Sequence, residues 1–410
     1  MDIAIRATGR IEAGIELPVS KSVSARALVL NALSGRTGRI MGLAQCDDTR
    51  VLQQALLRPD AGSIDVGMAG TAMRFLTAVC ALRWGRVRLD GNERMRQRPI
   101  GPLVDALRQL GAHIDYAGSE GFPPLLIEGR PLHGGKVSVR GDVSSQFISA
   151  LLMIGPAVGG LEVEMSGGIT SRPYIEMTLG LMHQWGIESQ WEGNVISVPA
   201  GHYTAPPLTV IEADWSASAP WWALQALLPE SRIRLQGLRP ESLQGDSRIV
   251  AIMEGMGVQG TWQGPELVLS NNGGCNCCCS TYADLNDTPD LAPQLIVMLC
   301  LLGRPYRLTG LRTLRMKETD RLEALRQELR KLGYQINIEG DDAVSWHFER
   351  CEGMERPVIS PHGDHRMAMA FAPAAVAWPG LIIEDAEVVS KSYPEFWQHL
   401  REANFKIERI

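Results

Sequence analysis

A weak internal repeat constrains this chain more than any other feature. Four times a helical stretch ends on an apolar residue, meets a glycine, and passes into strand-like residues. Val104 to Leu110 leads into Gly111, Ile175 to Trp185 into Gly186, Val250 to Met256 into Gly257, and Leu322 to Leu332 into Gly333. The glycines stand 75, 71 and 76 residues apart. Another 71 residues lead to Asn404, after the helix-like Pro394 to Glu402 and before Phe405-Lys406-Ile407. Gly and Asn both tolerate the left-handed conformation that ends a helix. A sixth, degenerate copy spans Thr49 to Val66. A period near 70 exceeds that of simple solenoids. It implies a βα-rich unit repeated about six times, in two domains of about three units each. Strands such as Lys136 to Val139 and Glu266 to Leu269 alternate with helices, so the class is α/β or α+β. Periodicity leaves the strand order open.

Composition narrows the function. With 410 residues, 45% hydrophobic and 21% charged, the chain can bury a large core without staples. Its 40 Lys and Arg against 46 Asp and Glu give a net charge of −6, which disfavours a general nucleic-acid binder. No run of about 18 uncharged apolar residues suggests a membrane span. The start, Met1 to Arg6, alternates like a strand and lacks the pattern of a signal peptide, so a cytoplasmic location is expected. Half of the eight cysteines lie in Cys275-Asn276-Cys277-Cys278-Cys279. No second Cys or His pair follows at zinc-site spacing, and a polar hairpin turn is the expected reading.

The chemistry-bearing motifs gather at helix starts. Ser20 can cap a helix with an apolar face of Val23, Ala27 and Leu30, placing Lys21 in the first turn and Arg26 beyond it. Lys in a first turn opposes the helix dipole, which a bound anion would help explain. Gly67-Met68-Ala69-Gly70 opens another helix as a small-residue cradle. Arg94 to Arg98 sets three Arg before Pro99, which suits a first helical position. Ser144, Ser145 and Gln146, and Ser171 with Tyr174, offer hydroxyls and an amide, although helix capping accounts for Ser144 and Ser171 equally well. Lys317, Glu318, Asp320 and Arg321 crowd one segment, and Glu318 to Leu322 could belong to one helical start. Such a set is an ion-pair patch, or a carboxylate held beside cations for proton transfer. Asp364 can cap a helix with Arg366 in its first turn. Ser390-Lys391-Ser392-Tyr393-Pro394 precedes the last helix.

Together these segments resemble the 5-enolpyruvylshikimate-3-phosphate synthase family. The matching stretches are 20–28, 69–74, 98–107, 144–147, 171–175, 288–290, 316–322, 364–369 and 391–394, in the family's order across the whole chain. The resemblance implies a two-lobed, inside-out α/β barrel-like fold of six βαβαββ units, three per lobe, with ligands in the cleft between. It places 1–19 and 212–410 in one lobe, carrying Asp290, Glu318, Arg321, Arg366 and Lys391. It places 20–211 in the other, carrying Lys21, Arg26, Arg98, Ser144 and Gln146. The implied reaction joins phosphoenolpyruvate to the 5-hydroxyl of shikimate 3-phosphate and releases phosphate. Ser22, Arg26, Ser144, Ser145, Gln146, Ser171, Tyr174, Asp290 and Lys317 are the implied shikimate 3-phosphate contacts. Lys21, Gly70, Arg98, Gln146, Arg321, Arg366 and Lys391 are those for phosphoenolpyruvate, where Arg suits bidentate binding of carboxylate and phosphate. Proton transfer falls to Lys21, Asp290 and Glu318. The resemblance implies no metal or organic cofactor, a monomer, no nucleic-acid or membrane partner, and lobe closure on the first substrate.

The sequence departs from the family at Val19, where Gly is usual, at Ala25 and Met68, where Asn is usual, at Thr313 and at Phe75. These bear on affinity and inhibitor response more than on reaction type. Gly70 keeps the small residue associated with sensitivity to glyphosate, a phosphoenolpyruvate competitor. Two other readings compete. The sister enolpyruvyl transferase acting on UDP-N-acetylglucosamine usually carries a Cys before an Arg-Pro pair, and the stretch from Asn92 to Pro99 has none. A non-catalytic anion-binding descendant draws support only from Ala25 and Met68, while Lys21, Asp290, Glu318 and Arg366 oppose it.

Overall fold

Every repeat position turns the backbone left-handed. φ is +93° at Gly111, +83° at Gly186, +90° at Gly257, +83° at Gly333 and +69° at Asn404. The computed structural model describes all residues except 8, 36, 59–61, 84 and 272–279. The Cys275 to Cys279 cluster therefore lies outside the described residues. Two units emerge, one of residues 20–211 and one of 1–19 with 212–410.

In the 20–211 unit the helices are α1 (Lys21–Leu33), α2 (Asp47–Leu57), α3 (Gly70–Leu82), α4 (Gly101–Gln109), α5 (Ser145–Ile154) and α6 (Arg172–Gln184). Ser20 caps α1, its hydroxyl accepting from the Val23 amide at 3.4 Å. The expected single apolar face of α1 is wider in the fold. Every residue from Val23 to Leu30 is buried, including Ser24 and Arg26. A helix enclosed on all sides needs apolar residues all round, which its Ala, Val and Leu content supplies. Arg94 to Arg98 forms a short 3-10 turn at Met95–Gln97, and Pro102, rather than Pro99, occupies the first turn of α4. Pro99 lies before the helix, where its carbonyl accepts from Arg74.

The other unit holds α7 (Trp215–Leu227), α8 (Ile249–Glu254), α9 (Ala292–Leu301), α10 (Arg321–Lys331), α11 (His365–Phe371) and α12 (Phe396–Glu402). α7 and α9 are likewise buried helices, with Trp221, Trp222, Leu295 and Ile296 at the core. Burying each such side chain contributes about 1.5–3 kcal/mol.

Among the described residues five four-stranded sheets share one plan: a parallel pair, then two antiparallel strands. In the 20–211 unit, Ser63–Asp65 runs parallel to Gly85–Asp90, followed by Leu125–Gly129 and His113–Tyr116. Gly135–Arg140 and Leu161–Ser166 repeat this with Val195–Val198 and Gln190–Glu192. In the other unit, Glu12–Glu16 pairs with Arg232–Gln236, and Thr281–Asp284 with Tyr306–Thr309, each continued by a hairpin. In the last sheet the antiparallel strands are Ile3–Arg6 and Lys406–Arg409, so the chain's start completes a sheet begun near its end.

The sixth copy differs. Arg39–Met41 pairs in parallel only with Leu208–Val210, and among the described residues no antiparallel pair extends it. In the Thr49 to Val66 copy α2 is followed by Ser63–Asp65, and no antiparallel hairpin stands between them among the described residues. Two strands also begin later than their glycines suggest. After Gly186 the strand is Gln190–Glu192. After Gly333, Tyr334 makes only an isolated bridge to Arg350, and the strand is Asn337–Glu339. Among the described residues no helix is long and apolar enough to cross a membrane.

Candidate active site

The predicted residues of the 20–211 unit lie at helix starts tied to one another by side chains. Arg26 reaches from α1 to the Thr178 hydroxyl at 2.7 Å, the Ser149 hydroxyl at 3.2 Å, and the carbonyls of Ser22 and Tyr174 at 3.0 and 3.1 Å. All these acceptors are neutral. Burial pushes the guanidinium down to about 10. Its carbon sits 5.5 Å from the Phe75 ring centre and 6.0 Å from that of Tyr174. Phe75, a departure from the family pattern, thus packs on this cation through its ring face. Arg98 is also buried and, among the described residues, donates to the Met68 carbonyl at 3.5 Å. Two desolvated guanidinium groups with no acid partner among the described residues, beside helix N-termini, form an anion-binding environment.

Gly70, the first residue of α3, makes room for Arg98. A Cβ there would lie 2.6 Å from an Arg98 terminal nitrogen. Gln146 on α5 donates to Thr71 on α3 at 3.1 Å. The Ser144 hydroxyl caps α5 by accepting from the Gln146 amide. Capping does not account for Ser171. It stands at the N-cap of α6 with φ +55°, and its side chain makes no cap bond. The left-handed backbone at this position is strained for a serine. Ser22 and Ser145 fall in the first turns of α1 and α5. Lys21 pairs with Asp48 at 3.1 Å, a partner the motifs did not single out.

In the other unit six predicted residues form one charge network at the starts of α9, α10 and α11 and the turn before α12. Asp290 accepts from Arg321 at 2.8 Å and Arg366 at 3.0 Å, and pairs with Lys317 at 3.2 Å. Glu318 accepts from Lys391 at 2.6 Å and Arg321 at 3.1 Å. Arg321 also grips Asp364 at 2.7 Å. Burial raises the Asp290 carboxyl, but Arg366, Lys317 and Arg321 outweigh it and hold it well below the usual carboxylate range. Burial disfavours the Arg321 cation, yet Asp364, Asp290 and Glu318 raise its pKa above the ordinary value. Asp320 caps α10 by accepting from the Leu322 and Glu323 amides. Glu318 therefore lies outside that helix, not in its first turn, and its carboxylate is free to turn toward Lys391. Asp364 caps α11 through the Arg366 amide at 2.9 Å, as its motif suggests.

Asp246 was not legible in the sequence. It sits in a short 3-10 turn, Gly245–Arg248, is buried, and accepts from the Ser216 hydroxyl on α7. Burial pushes it up to about 6, opposed by Arg366 and reinforced by Asp290. A carboxyl whose folded pKa lies above its unfolded value costs stability once ionised. Stability should fall as pH rises from about 4 to about 6 on its account. Asp246→Asn is therefore expected to stabilise the protein by roughly 1–3 kcal/mol at pH 7 and by nothing below pH 4. Denaturant melts at both pH values check this, and equal effects at the two would exclude it. Among the described residues no group of three or more His, Cys, Asp or Glu is placed to hold a metal ion.

The network sets cations of the kind that bind phosphate and carboxylate against two enclosed carboxylates, Asp290 and Glu318. Comparison with known proteins gives the same direction. A family model described as EPSP synthase (3-phosphoshikimate 1-carboxyvinyltransferase) matches residues 52–400. A 3-phosphoshikimate 1-carboxyvinyltransferase of Bacteroides fragilis (strain YCH46) is 47% identical over 410 residues, covering 100% of this chain and 99% of that protein. That of Syntrophobacter fumaroxidans is 37% identical, over 95% and 96% of the two. The solved EPSP synthase structure from Acinetobacter baumannii covers 100% of both chains with a TM-score of 0.76 at 20% identity, a likeness of fold. On its sequence, over nearly its full length, this chain belongs to the EPSP synthase family.

Proposed function

We propose that this chain transfers the enolpyruvyl group of phosphoenolpyruvate to the 5-hydroxyl of shikimate 3-phosphate. The products are 5-enolpyruvylshikimate 3-phosphate and phosphate, in the pathway to aromatic amino acids. The observation that carries this reading is the convergence of Lys317, Arg321, Arg366 and Lys391 on Asp290 and Glu318. Both substrates are anionic, and both chemical steps move protons.

In the addition, the 5-hydroxyl oxygen bonds to C2 of phosphoenolpyruvate, loses its proton, and C3 gains one. In the elimination, C3 loses a proton, the double bond re-forms, and the C2–O bond to phosphate breaks. Asp290 is assigned the hydroxyl proton and Glu318 the methylene proton, with Lys21 the third residue given to proton traffic. While three cations face it, Asp290 is a weak base. A substrate anion that engages Lys317 or Arg366 would weaken their hold and raise its basicity. Ser22, Arg26, Ser144, Ser145, Gln146, Ser171, Tyr174, Asp290 and Lys317 are assigned to shikimate 3-phosphate. Lys21, Gly70, Arg98, Gln146, Arg321, Arg366 and Lys391 are assigned to phosphoenolpyruvate. The buried, acid-free Arg26 supports the first set, since an incoming phosphate supplies the charge its protein contacts lack. We further propose a monomer acting in the cytoplasm.

The test is phosphate release from the purified protein given phosphoenolpyruvate with and without shikimate 3-phosphate. Release only with both supports the reading. Release with UDP-N-acetylglucosamine instead would transfer it to the sister enzyme, and silence with both acceptors would favour binding without catalysis. Gly70→Ala tests the phosphoenolpyruvate set. The added methyl pushes on the flexible Arg98 side chain, so folding stability should hold while the KM for phosphoenolpyruvate rises about ten-fold. Steady-state kinetics beside a thermal melt check it, and an unchanged KM would remove Arg98 from that role.

A further inference from the structure

α10 meets the segment before α11 twice. At its first residue Arg321 holds Asp364, and seven residues on, two turns along the same face, Glu328 holds the loop that leads to Asp364. Glu328 is 1% exposed, yet it is a carboxylate. One oxygen accepts from the Ser360 amide at 3.0 Å and from Lys331 at 2.7 Å. The other meets the His362 Nε2 at 2.8 Å. A carboxylate can only accept here, so that nitrogen carries a proton and donates. Lys331 also ties down the Val358 carbonyl at 2.8 Å.

His362 is held in a conformation that L-residues avoid, with φ +52°, and Gly363 follows at +70°. These two left-handed residues turn the chain so that Asp364 can cap α11 and face Arg321. For a histidine this backbone is strained, and such strain persists only where neighbours over-determine it. Glu328 supplies that determination.

We propose that Glu328 and His362 form a latch that positions Asp364 and Arg366. They are positioning residues: they act on substrate through the loop and not by contact. The inference rests on the assignment of Arg366 to phosphoenolpyruvate. With the latch open, the left-handed turn relaxes, Asp364 shifts on Arg321, and the Arg366 guanidinium loses its placement beside Asp290.

Three variants test it by steady-state kinetics, with both KM values and kcat measured. His362→Gly removes the donor and, because glycine takes negative φ as readily as positive, leaves nothing to hold the turn left-handed; Glu328 keeps its Ser360 and Lys331 partners, so the variant should fold. Its KM for phosphoenolpyruvate should rise about ten-fold, with the KM for shikimate 3-phosphate within two-fold of the unaltered protein. His362→Gln keeps an N–H near the Nε2 position and should restore most of the loss. Arg366→Lys is the benchmark for the underlying assignment and should raise the same KM. If Arg366→Lys raises it and His362→Gly does not, the latch is wrong and the assignment stands. If Gly and Gln at position 362 are equally impaired, the imidazole serves packing alone and the latch is overturned. If Arg366→Lys changes neither KM, the assignment fails and the latch falls with it.

Discussion

Glu318→Gln is expected to lower turnover by about a thousand-fold while shikimate 3-phosphate binding stays within a few-fold. The amide has the size of the carboxylate and can still accept from Arg321 or Lys391. What it loses is the capacity to take up and return a proton, which both steps at C3 require. Glu318 is almost fully enclosed, with 9% of its side chain exposed, so bulk water cannot readily replace it. Rapid-quench turnover and calorimetric binding of shikimate 3-phosphate separate the two effects. Turnover near that of the unaltered protein would remove Glu318 from proton transfer. Loss of binding in step with turnover would assign it a placing role instead.

Arg321→Met should produce the largest stability effect in the protein. The guanidinium is 1% exposed and binds Asp290, Glu318 and Asp364 at once. Removing it leaves carboxylates buried beside one another, at a cost of about 3–5 kcal/mol. In a unit of this size that corresponds to a fall of about 10 °C in Tm. Arg321→Lys should recover only part of it, because a single ammonium cannot span three carboxylates. The deficit has a pH sign. With the cation gone the carboxyl pKa values rise, and protonation relieves the repulsion. The difference in Tm between variant and parent should be widest near pH 7 and narrow as pH falls toward 4. A deficit independent of pH would mean that packing, not charge, holds Arg321 in place.

Helix starts were legible in the sequence because capping is local. Ser20, Ser144 and Asp364 each accept from an amide two or three residues ahead, and those residues announce themselves by type and position. The repeat was legible for the same reason: one left-handed residue after a helix is a local requirement. Where the local signal is ambiguous, residue type alone does not place the helix start. Pro99 looked like a first helical residue, but Pro102, three residues on, takes the first turn. Glu318 looked like part of a helical start, but Asp320 is the better cap and excludes it. Ser171 has the type and place of a cap, yet it is a strained N-cap residue whose side chain makes no cap bond.

Long-range pairing was not legible. Arg321 reaches Asp290 across 31 residues and Asp364 across 43, and Lys391 reaches Glu318 across 73. The motifs named these residues without saying which acid meets which base. Asp246 belongs to no charged motif and gains its character only by burial near Arg366 and Asp290. The acid-free contacts of Arg26 follow from the packing of α1 against α5 and α6. The sequence by itself determined the repeat, the helix starts and which charged and polar residues stand at them, since each depends on neighbours a few positions away. Tertiary structure alone decided the partners and the protonation of those residues. It also decided that Ile3–Arg6 completes a sheet with Lys406–Arg409, and that Arg39–Met41 pairs with Leu208–Val210 in a sheet of two strands among the described residues. Those outcomes depend on which surfaces desolvate one another, and chain spacing does not encode that.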